Sequence, residues 1–408
     1  MSLHRVAITG IGIVSSLGTS LDSVSAALRG GESGIVVDPE RIEVGFRSPL
    51  TGQIRNFDGK AGLSRKQRKT MTDFGVWAYA ATRDALDTAG LEDEQLRNPQ
   101  TGLLFGCDSS CIAAIEQTDQ VRRAGETAGI KSGLIFRSMT STVTMNLNTL
   151  LGTQGASWSL SSACSSGGHA IGQAADLIAL GRQERVICGA AQEINWESMC
   201  SFDAIGAFSR RIDSPAQACR PFDAERDGLV PSGGAAAVIL ERYDIATARG
   251  ATILGEVLSY SFSSDGSHLS VPSGEGLERA MTDAVQRAGL ELREIDYLCA
   301  HATSTPAGDA AEARAIKNVF GEKQPHVSSL KSMTGHELWM SGASQVVYSA
   351  LMARDGFIAP NLNFVAGDAD TEGLNIVRET LPFPPRKVLC NSAGFGGTNS
   401  CLILDLSQ

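Results

Sequence analysis

Three residues whose side chains can do covalent or proton chemistry each lie on a turn beside an apolar segment: Cys164, His301 and His336. Cys164 sits in Leu160-Ser161-Ser162-Ala163-Cys164-Ser165-Ser166-Gly167-Gly168-His169, between an apolar segment (155–160) and a helical pattern (170–181). Unpaired N–H groups at a helix start favour an anion, so this setting predicts a sulfur drawn toward its thiolate. The small neighbours let a bulky electrophile approach. His301 follows the apolar run Tyr297-Leu298-Cys299-Ala300, and His336 opens a predicted helix over 337–354. A neutral imidazole at a helix start has its pKa pushed down and can donate an N–H bond to a developing oxyanion. Cys164 therefore reads as a nucleophile with the two histidines as its partners. Nothing shows the paired short spacings of a zinc site, and no metal is expected.

The elements that must position these residues come in two similar series. The first predicts strands over 6–16, 103–106, 155–160, 185–191 and 233–241, with helices over 21–28, 140–151 and 170–181 and, over 64–90, a basic turn followed by a long helix. The second predicts strands over 252–260, 297–300, 327–330 and 396–404, with helices over 275–289, 308–320 and 337–354. Cys164 and His336 fall on corresponding turns, and each series closes with Gly-Gly before an aliphatic strand. The repeat is too long for a solenoid. An α/β fold of two packed halves, 1–250 carrying the cysteine and 251–408 carrying both histidines, fits the pattern, with sheets covered on both faces.

At 408 residues, with 42% hydrophobic and 20% charged residues, the chain can bury the core of a globular enzyme. A net charge of −10 argues against nucleic acid as a partner. No apolar run reaches membrane-spanning length, and the start, Met1-Ser2-Leu3-His4-Arg5-Val6, lacks a signal-peptide pattern, so a cytoplasmic protein is expected. The nine cysteines form no regular framework, which agrees with a reducing compartment. Gly10-x-Gly12 lacks the third glycine and acidic residue of a dinucleotide fingerprint.

Four segments resemble, in order, those of the elongating type I/II β-ketoacyl-acyl carrier protein synthases, leaning toward type I, in the condensing-enzyme/thiolase superfamily. They are Ser161-Ser162-Ala163-Cys164, His301-Ala302-Thr303-Ser304-Thr305-Pro306, Lys331-Ser332-Met333-Thr334-Gly335-His336 and Gly394-Phe395-Gly396-Gly397-Thr398-Asn399. Phe222-Asp223-Ala224-Glu225-Arg226-Asp227-Gly228 and Gly356-Phe357-Ile358-Ala359-Pro360-Asn361 add support, and the likeness runs over nearly the whole chain. It implies a thiolase-like fold of duplicated halves in a layered α-β-α-β-α sandwich, a homodimer, no cofactor, and acyl carrier protein as partner. The implied activity is decarboxylative condensation of an acyl group on Cys164 with malonyl-carrier protein, in fatty acid elongation.

The same resemblance assigns roles. His301 and His336 would hold the malonyl thioester oxygen, and the N–H groups of Cys164 and Phe395 the tetrahedral oxyanion. Lys331 would stand near the histidines, paired with Glu312. Thr303 and Thr305 would bind the pantetheine arm. Phe395 would act as a gate, given freedom by Gly394, Gly396 and Gly397. Arg65, Lys66 and Lys69 would dock the acidic carrier, with Arg122, Arg123 and Lys131 as weaker candidates. The pattern departs after the second histidine. Where the family has His-Ser-Leu-Gly-Ala-Ala-Gly, this chain reads His336-Glu337-Leu338-Trp339-Met340-Ser341-Gly342, and Ala393 stands where phenylalanine is common. The added bulk of Trp339 and the loss at Ala393 are expected to compensate each other sterically. Cys107, Ser109, Ser110 and Cys111 are expected where the acyl tail or a dimer partner approaches. The rival readings are a polyketide or aryl-polyene ketosynthase, a thiolase, and a non-catalytic partner subunit. Cys164 and both histidines argue against the last, and the absence of a second cysteine in the 393–397 loop argues against a thiolase.

Overall fold

Strand β1 (Val6–Val14) is buried along its whole length, as expected of an apolar run inside a covered sheet. The computed structural model describes residues 3–407, so Met1, Ser2 and Gln408 lie outside the described residues, including the first two of the N-terminal segment read above. Nine further strands join β1: β2 (Thr101–Gly106), β3 (Ser157–Leu160), β4 (Arg185–Gln192), β5 (Gly234–Arg242), β6 (Gly255–Ser264), β7 (Tyr297–Cys299), β8 (His326–Ser328), β9 (Lys387–Gly394) and β10 (Thr398–Asp405). Their order is β8-β7-β9-β10-β6-β1-β5-β4-β2-β3.

That order is one pattern written twice. In the first copy β2 runs parallel to β3 and β4, β4 is antiparallel to β5, and β5 is antiparallel to β1. In the second, β7 runs parallel to β8 and β9, β9 is antiparallel to β10, and β10 is antiparallel to β6. The copies touch where Ala7 and Ile8 of β1 face Glu256 and Gly255 of β6.

Six helices follow the same duplication: α1 (Asp73–Ala89), α2 (Thr142–Leu151) and α3 (Ser166–Ala179), then α4 (Glu275–Arg287), α5 (Pro306–Phe320) and α6 (Ser341–Asp355). Phe74, Leu86 and Leu147 of α1 and α2 cover one outer face with Leu103 and Ile239. Leu277, Met281 and Ile316 of α4 and α5 cover the other with Leu298 and Ile403. Between the two halves of the sheet, Ile171 and Ile178 of α3 and Val346, Val347 and Leu351 of α6 join Ile8, Val238, Val388 and Leu404 in one core. These are five layers, α-β-α-β-α, of a thiolase-like fold.

The two central helices cross where neither start has a side chain. A Cβ on Gly342 would lie 2.2 Å from the Gly168 nitrogen, and one on Gly167 would lie 2.8 Å from the Trp339 carbonyl. This close approach of glycine backbones draws the turn before α3 and the turn before α6 together.

Most predicted elements stand within a few residues of their expected bounds, with one instructive shift. The helix expected over 337–354 begins instead with a tight turn, Leu338–Met340, and α6 starts only at Ser341. Leu338 holds φ at +45°, which breaks the helix. The helix Cys111–Ala124 and the hairpin of Ile35–Val37 with Leu50–Gly52 were not foreseen.

Candidate active site

Cys164 sits between β3 and α3, directly after Ala163, whose φ of +45° forces a sharp elbow. Hydroxyls hold the elbow. Ser166 Oγ donates to the Ala163 carbonyl at 2.7 Å and accepts the Ser162 N–H at 2.7 Å. The β9–β10 hairpin closes against it. Thr398 Oγ1 donates to the Ser162 carbonyl at 3.2 Å and lies 2.8 Å from Ser165 Oγ. A Cβ on Gly394 would come within 3.0 Å of the Cys164 nitrogen, so only glycine lets the hairpin approach this far.

His336 Nε2 lies 3.3 Å from Cys164 Sγ. The Leu338 N–H donates to His336 Nδ1 at 3.3 Å, which leaves the proton of a neutral ring on Nε2, facing the sulfur. The strained backbone at Leu338 thus has a consequence: it brings its N–H back onto the histidine. His301, at the end of β7, stands edge-on to His336 with ring centroids 5.3 Å apart and 85° between planes. Its Nδ1 is buried without a hydrogen-bond partner. Burial first, then the Lys331 charge, holds both imidazoles well below their usual pKa, with His336 adding to the effect on His301. The direction is the expected one, but its main cause is desolvation rather than a helix start.

The sulfur corrects the sequence expectation more strongly. Burial pushes the Cys164 thiol up to about 12, and Asp108 adds to this, against the pull of Lys331 and of the N–H groups of Cys164 and Phe395. The resting group is a thiol, because desolvation outweighs the anion-favouring groups around it.

Lys331 is buried beside this cluster. Desolvation lowers its pKa, while Cys299, Glu312, Glu337 and Cys164 oppose that in decreasing order. Glu312 does not close an ion pair on Lys331 within 4 Å. Its Oε1 accepts the His301 N–H at 2.9 Å and the Asn391 amide at 3.0 Å, and its Oε2 accepts the Ala302 N–H at 2.6 Å. Glu312 is thus a bracket for the strand end that carries His301, coupled to Lys331 only through space.

A cavity of about 300 Å³ opens onto the sulfur. Cys164, His301 and His336 line it with Thr303, Thr305, Gly394, Phe395 and Gly397. Gly396 is the one residue of the expected gate outside that lining; it holds φ at +80° and donates its N–H to the Leu269 carbonyl. Thr303 and Thr305 hydroxyls meet at 3.0 Å, and Thr305 makes no capping bond to α5, so both remain turned to the cavity. Phe395 stacks on Phe202 (5.9 Å, 18°), which stacks in turn on Phe208 (6.2 Å, 14°).

Phe202 and the segment Asp265–Pro272 were missed in the sequence. The first is a lone aromatic in a helix of five residues, Cys200–Ala204, and the second is a loop whose only signal is Asp265-Gly266.

Trp339 and Ala393 do not compensate. Ala393 lines the cavity, whereas Trp339 packs with Met199, Phe208, Leu229 and Leu338 beneath it. Cys107, Ser109, Ser110 and Cys111 also stand outside the cavity lining. Glu193 accepts the Ser109 hydroxyl and the Cys111 N–H there. Arg65, Lys66 and Lys69 are exposed on a short helix capped by Ser64 and the residue after it. Arg122 and Lys131 instead pair with Asp119 and Glu116.

Residues 3–246 match the model of the β-ketoacyl synthase N-terminal domain and residues 254–365 that of its C-terminal domain. The chain belongs to the β-ketoacyl synthase family of condensing enzymes. It is 42% identical over 404 residues to 3-oxoacyl-[acyl-carrier-protein] synthase 1 of Haemophilus influenzae, covering 98% of each chain. Its fold superposes on a crystal structure of a β-ketoacyl synthase from Burkholderia phymatum with a TM-score of 0.94, at 34% identity over 99% of this chain and all of the other. A further similar structure is a type II polyketide acyl-carrier protein in complex with its ketosynthase bound to the hexaketide (TM-score 0.90, 27% identity, 99% of each chain). No helix among the described residues is long and apolar enough to cross a membrane.

Proposed function

We propose that the chain catalyses decarboxylative condensation of an acyl group with malonyl-acyl carrier protein, giving β-ketoacyl-acyl carrier protein in fatty acid elongation. The observation that carries this reading is the neutral Nε2–H of His336, held 3.3 Å from the Cys164 sulfur by the Leu338 N–H on its other nitrogen. In the first half-reaction the Cys164 thiol displaces the carrier thiol from the acyl thioester, so the acyl group moves to sulfur and the carrier leaves with the proton. The N–H groups of Cys164 and Phe395 bind the tetrahedral oxyanion, a donor type whose loss costs about 3–4 kcal/mol of barrier. In the second, malonyl-carrier protein loses carbon dioxide, and the electron pair of the broken C–C bond forms an enolate held by the N–H groups of His301 and His336. That carbon attacks the Cys164 thioester, forming the new C–C bond and releasing the sulfur, which takes up a proton.

Lys331 supplies fixed positive charge beside the histidines, and Glu312 braces the His301 backbone. Thr303 and Thr305 bind the pantetheine arm, and Phe395 closes the cavity with Gly394, Gly396 and Gly397 as its hinge. Exposed Arg65, Lys66 and Lys69 dock an acidic carrier. Residues 1–250 and 251–408 act as the two halves. Two copies pair through β3, an edge strand with exposed Trp158 beside exposed Phe136. The other edge, β8, is already covered, since Val327 exchanges backbone bonds with Asn375 and Val377. All nine cysteines are free, which supports a cytoplasmic setting.

The test is condensation with purified acyl- and malonyl-carrier protein. Release of carbon dioxide with formation of the β-ketoacyl product supports the reading, and coenzyme A-dependent thiolysis without carbon dioxide sinks it. A polyketide ketosynthase is a second reading, favoured by the similarity to the hexaketide-bound ketosynthase. A ladder of saturated acyl and β-keto primers separates the two.

A further inference from the structure

Glu337 is a buried carboxylate with no part in the scheme above, and it stands where the family pattern has serine. It is 2% exposed, directly after His336. Ser344 Oγ donates to its Oε2 at 2.5 Å and the Tyr348 hydroxyl to its Oε1 at 2.7 Å, both from α6. Burial raises its pKa, and Ser344, Tyr348 and the Lys331 charge oppose that. A carboxylate this deep is costly unless hydrogen bonds and an opposite charge accompany it. Two hydroxyls supply the first. The opposite charge is on Lys331, itself 3% exposed.

Both side chains line one small cavity of about 10 Å³, closed by Ser341, Ser344, Gln345 and Tyr348. That is room for about one water between the two charges. Glu312, the other carboxylate coupled to Lys331, lines the large substrate cavity instead, and each of its oxygens already accepts an N–H bond. No ion pair within 4 Å joins Lys331 to either acid, so its link to Glu337 runs across the small cavity they share. One acid is committed to the His301 strand end, and the other is fixed to α6.

We infer that Glu337 is a positioning residue for the condensation: fixed to α6 by Ser344 and Tyr348, it holds the Lys331 ammonium through a water in the cavity they share. The inference rests on the proposed function. With the ammonium kept there, its field falls on the imidazoles and on the enolate they bind. Acyl transfer also feels Lys331 through the Cys164 sulfur but has the Cys164 and Phe395 N–H groups besides, so Glu337 should matter to one half-reaction far more than to the other.

The test is a cycle of Glu337→Gln and Lys331→Met in the full chain, with acylation of Cys164 by acyl-carrier protein and carbon dioxide release from malonyl-carrier protein measured separately. Glu337→Gln keeps shape and an acceptor while removing charge. The expected result is a loss of about tenfold in kcat for decarboxylation, with KM and acylation each held within about twofold. In the Lys331→Met background Glu337→Gln should then change nothing further. Glu337→Ser, the residue of the family pattern, should reproduce the loss if the glutamine variant folds poorly by thermal unfolding. An undiminished decarboxylation rate overturns the inference. So does the same loss with and without Lys331, or an equal loss in both half-reactions. No carbon dioxide release from the unsubstituted chain strikes the condensation reading first, and this inference with it.

Discussion

The turn before α3 and the turn before α6 hold the same place in two copies of one topology, yet they are built from opposite materials. The Cys164 turn is made of serines, alanine and glycines, and its only ionisable group is a thiol that opens onto the cavity. The His336 turn carries Lys331, His336 and Glu337, all buried. Under the proposed function the difference divides the labour. One copy offers a small, reachable nucleophile. The other bears the cost of dehydrating charge, offset by hydroxyls of α6 and by the N–H groups around Glu312. The glycine crossing of α3 and α6 lets the first use the field of the second.

Removing the nucleophile breaks the comparison most completely. Cys164→Ala is expected to reduce condensation by roughly 10³-fold or more, read as β-ketoacyl product from acyl- and malonyl-carrier protein. Cys164→Gln should still release carbon dioxide from malonyl-carrier protein, because the other turn is untouched. Loss of that release in a folded Cys164→Gln protein would show that the division of labour is wrong.

The converse substitutions come next in size. His301→Ala or His336→Ala should each lower carbon dioxide release by about 10²- to 10³-fold, the scale of losing one oxyanion donor. Acylation of Cys164, followed by mass, should fall much less. Equal loss of both half-reactions in either variant would mean that the histidine serves the sulfur rather than the enolate.

The two turns were not equally legible in the sequence. Cys164 stood out because a run of small residues between an apolar strand and a helix has few other uses, and the duplicated order of elements followed from the same periodicity. His301 and His336 were legible as turn residues. What held them was not. The Leu338 backbone that sets the His336 tautomer adopts φ +45°, a conformation that leucine does not announce. The thiol state of Cys164 depends on burial by segments far away in the chain, so a local helix-start argument gave the wrong sign. Resemblance pairs Lys331 with Glu312, while Glu337 departs from the family pattern and no motif marks it. Phe202 reaches the site from a helix of five residues, Cys200–Ala204, too short to show a periodic pattern.

The cavity wall offers a smaller effect. Ala393→Phe returns a ring to the lining, and the expected result is a rise in KM of about tenfold for the longest accepted acyl chains, with short chains spared. Trp339→Ala should act differently, since the indole is packed beneath the cavity rather than in it. It should cost about 3–5 kcal/mol of stability by denaturant unfolding. A change in acyl range from Trp339→Ala, in a protein of unaltered stability, would put the two residues back in one space.

The smallest effect expected is on the pH profile, and it tests how the charged turn controls the histidines. Burial, then the Lys331 charge, lowers the pKa of both rings from an ordinary value near 6.5. A lowered pKa means that the neutral, N–H-donating form persists as pH falls through 6.5. Decarboxylation by Cys164→Gln should therefore stay flat between about pH 6 and 8, where an unperturbed imidazole would be half protonated at its midpoint. Removing the ammonium with Lys331→Met takes away a repulsion toward the ring protons, so both values rise and the acid limb moves to higher pH. An acid limb centred near 6.5 with Lys331 intact would contradict neutral donors. A limb that stays put in the Lys331→Met protein would assign the shift to burial alone and leave the lysine acting only on the substrate.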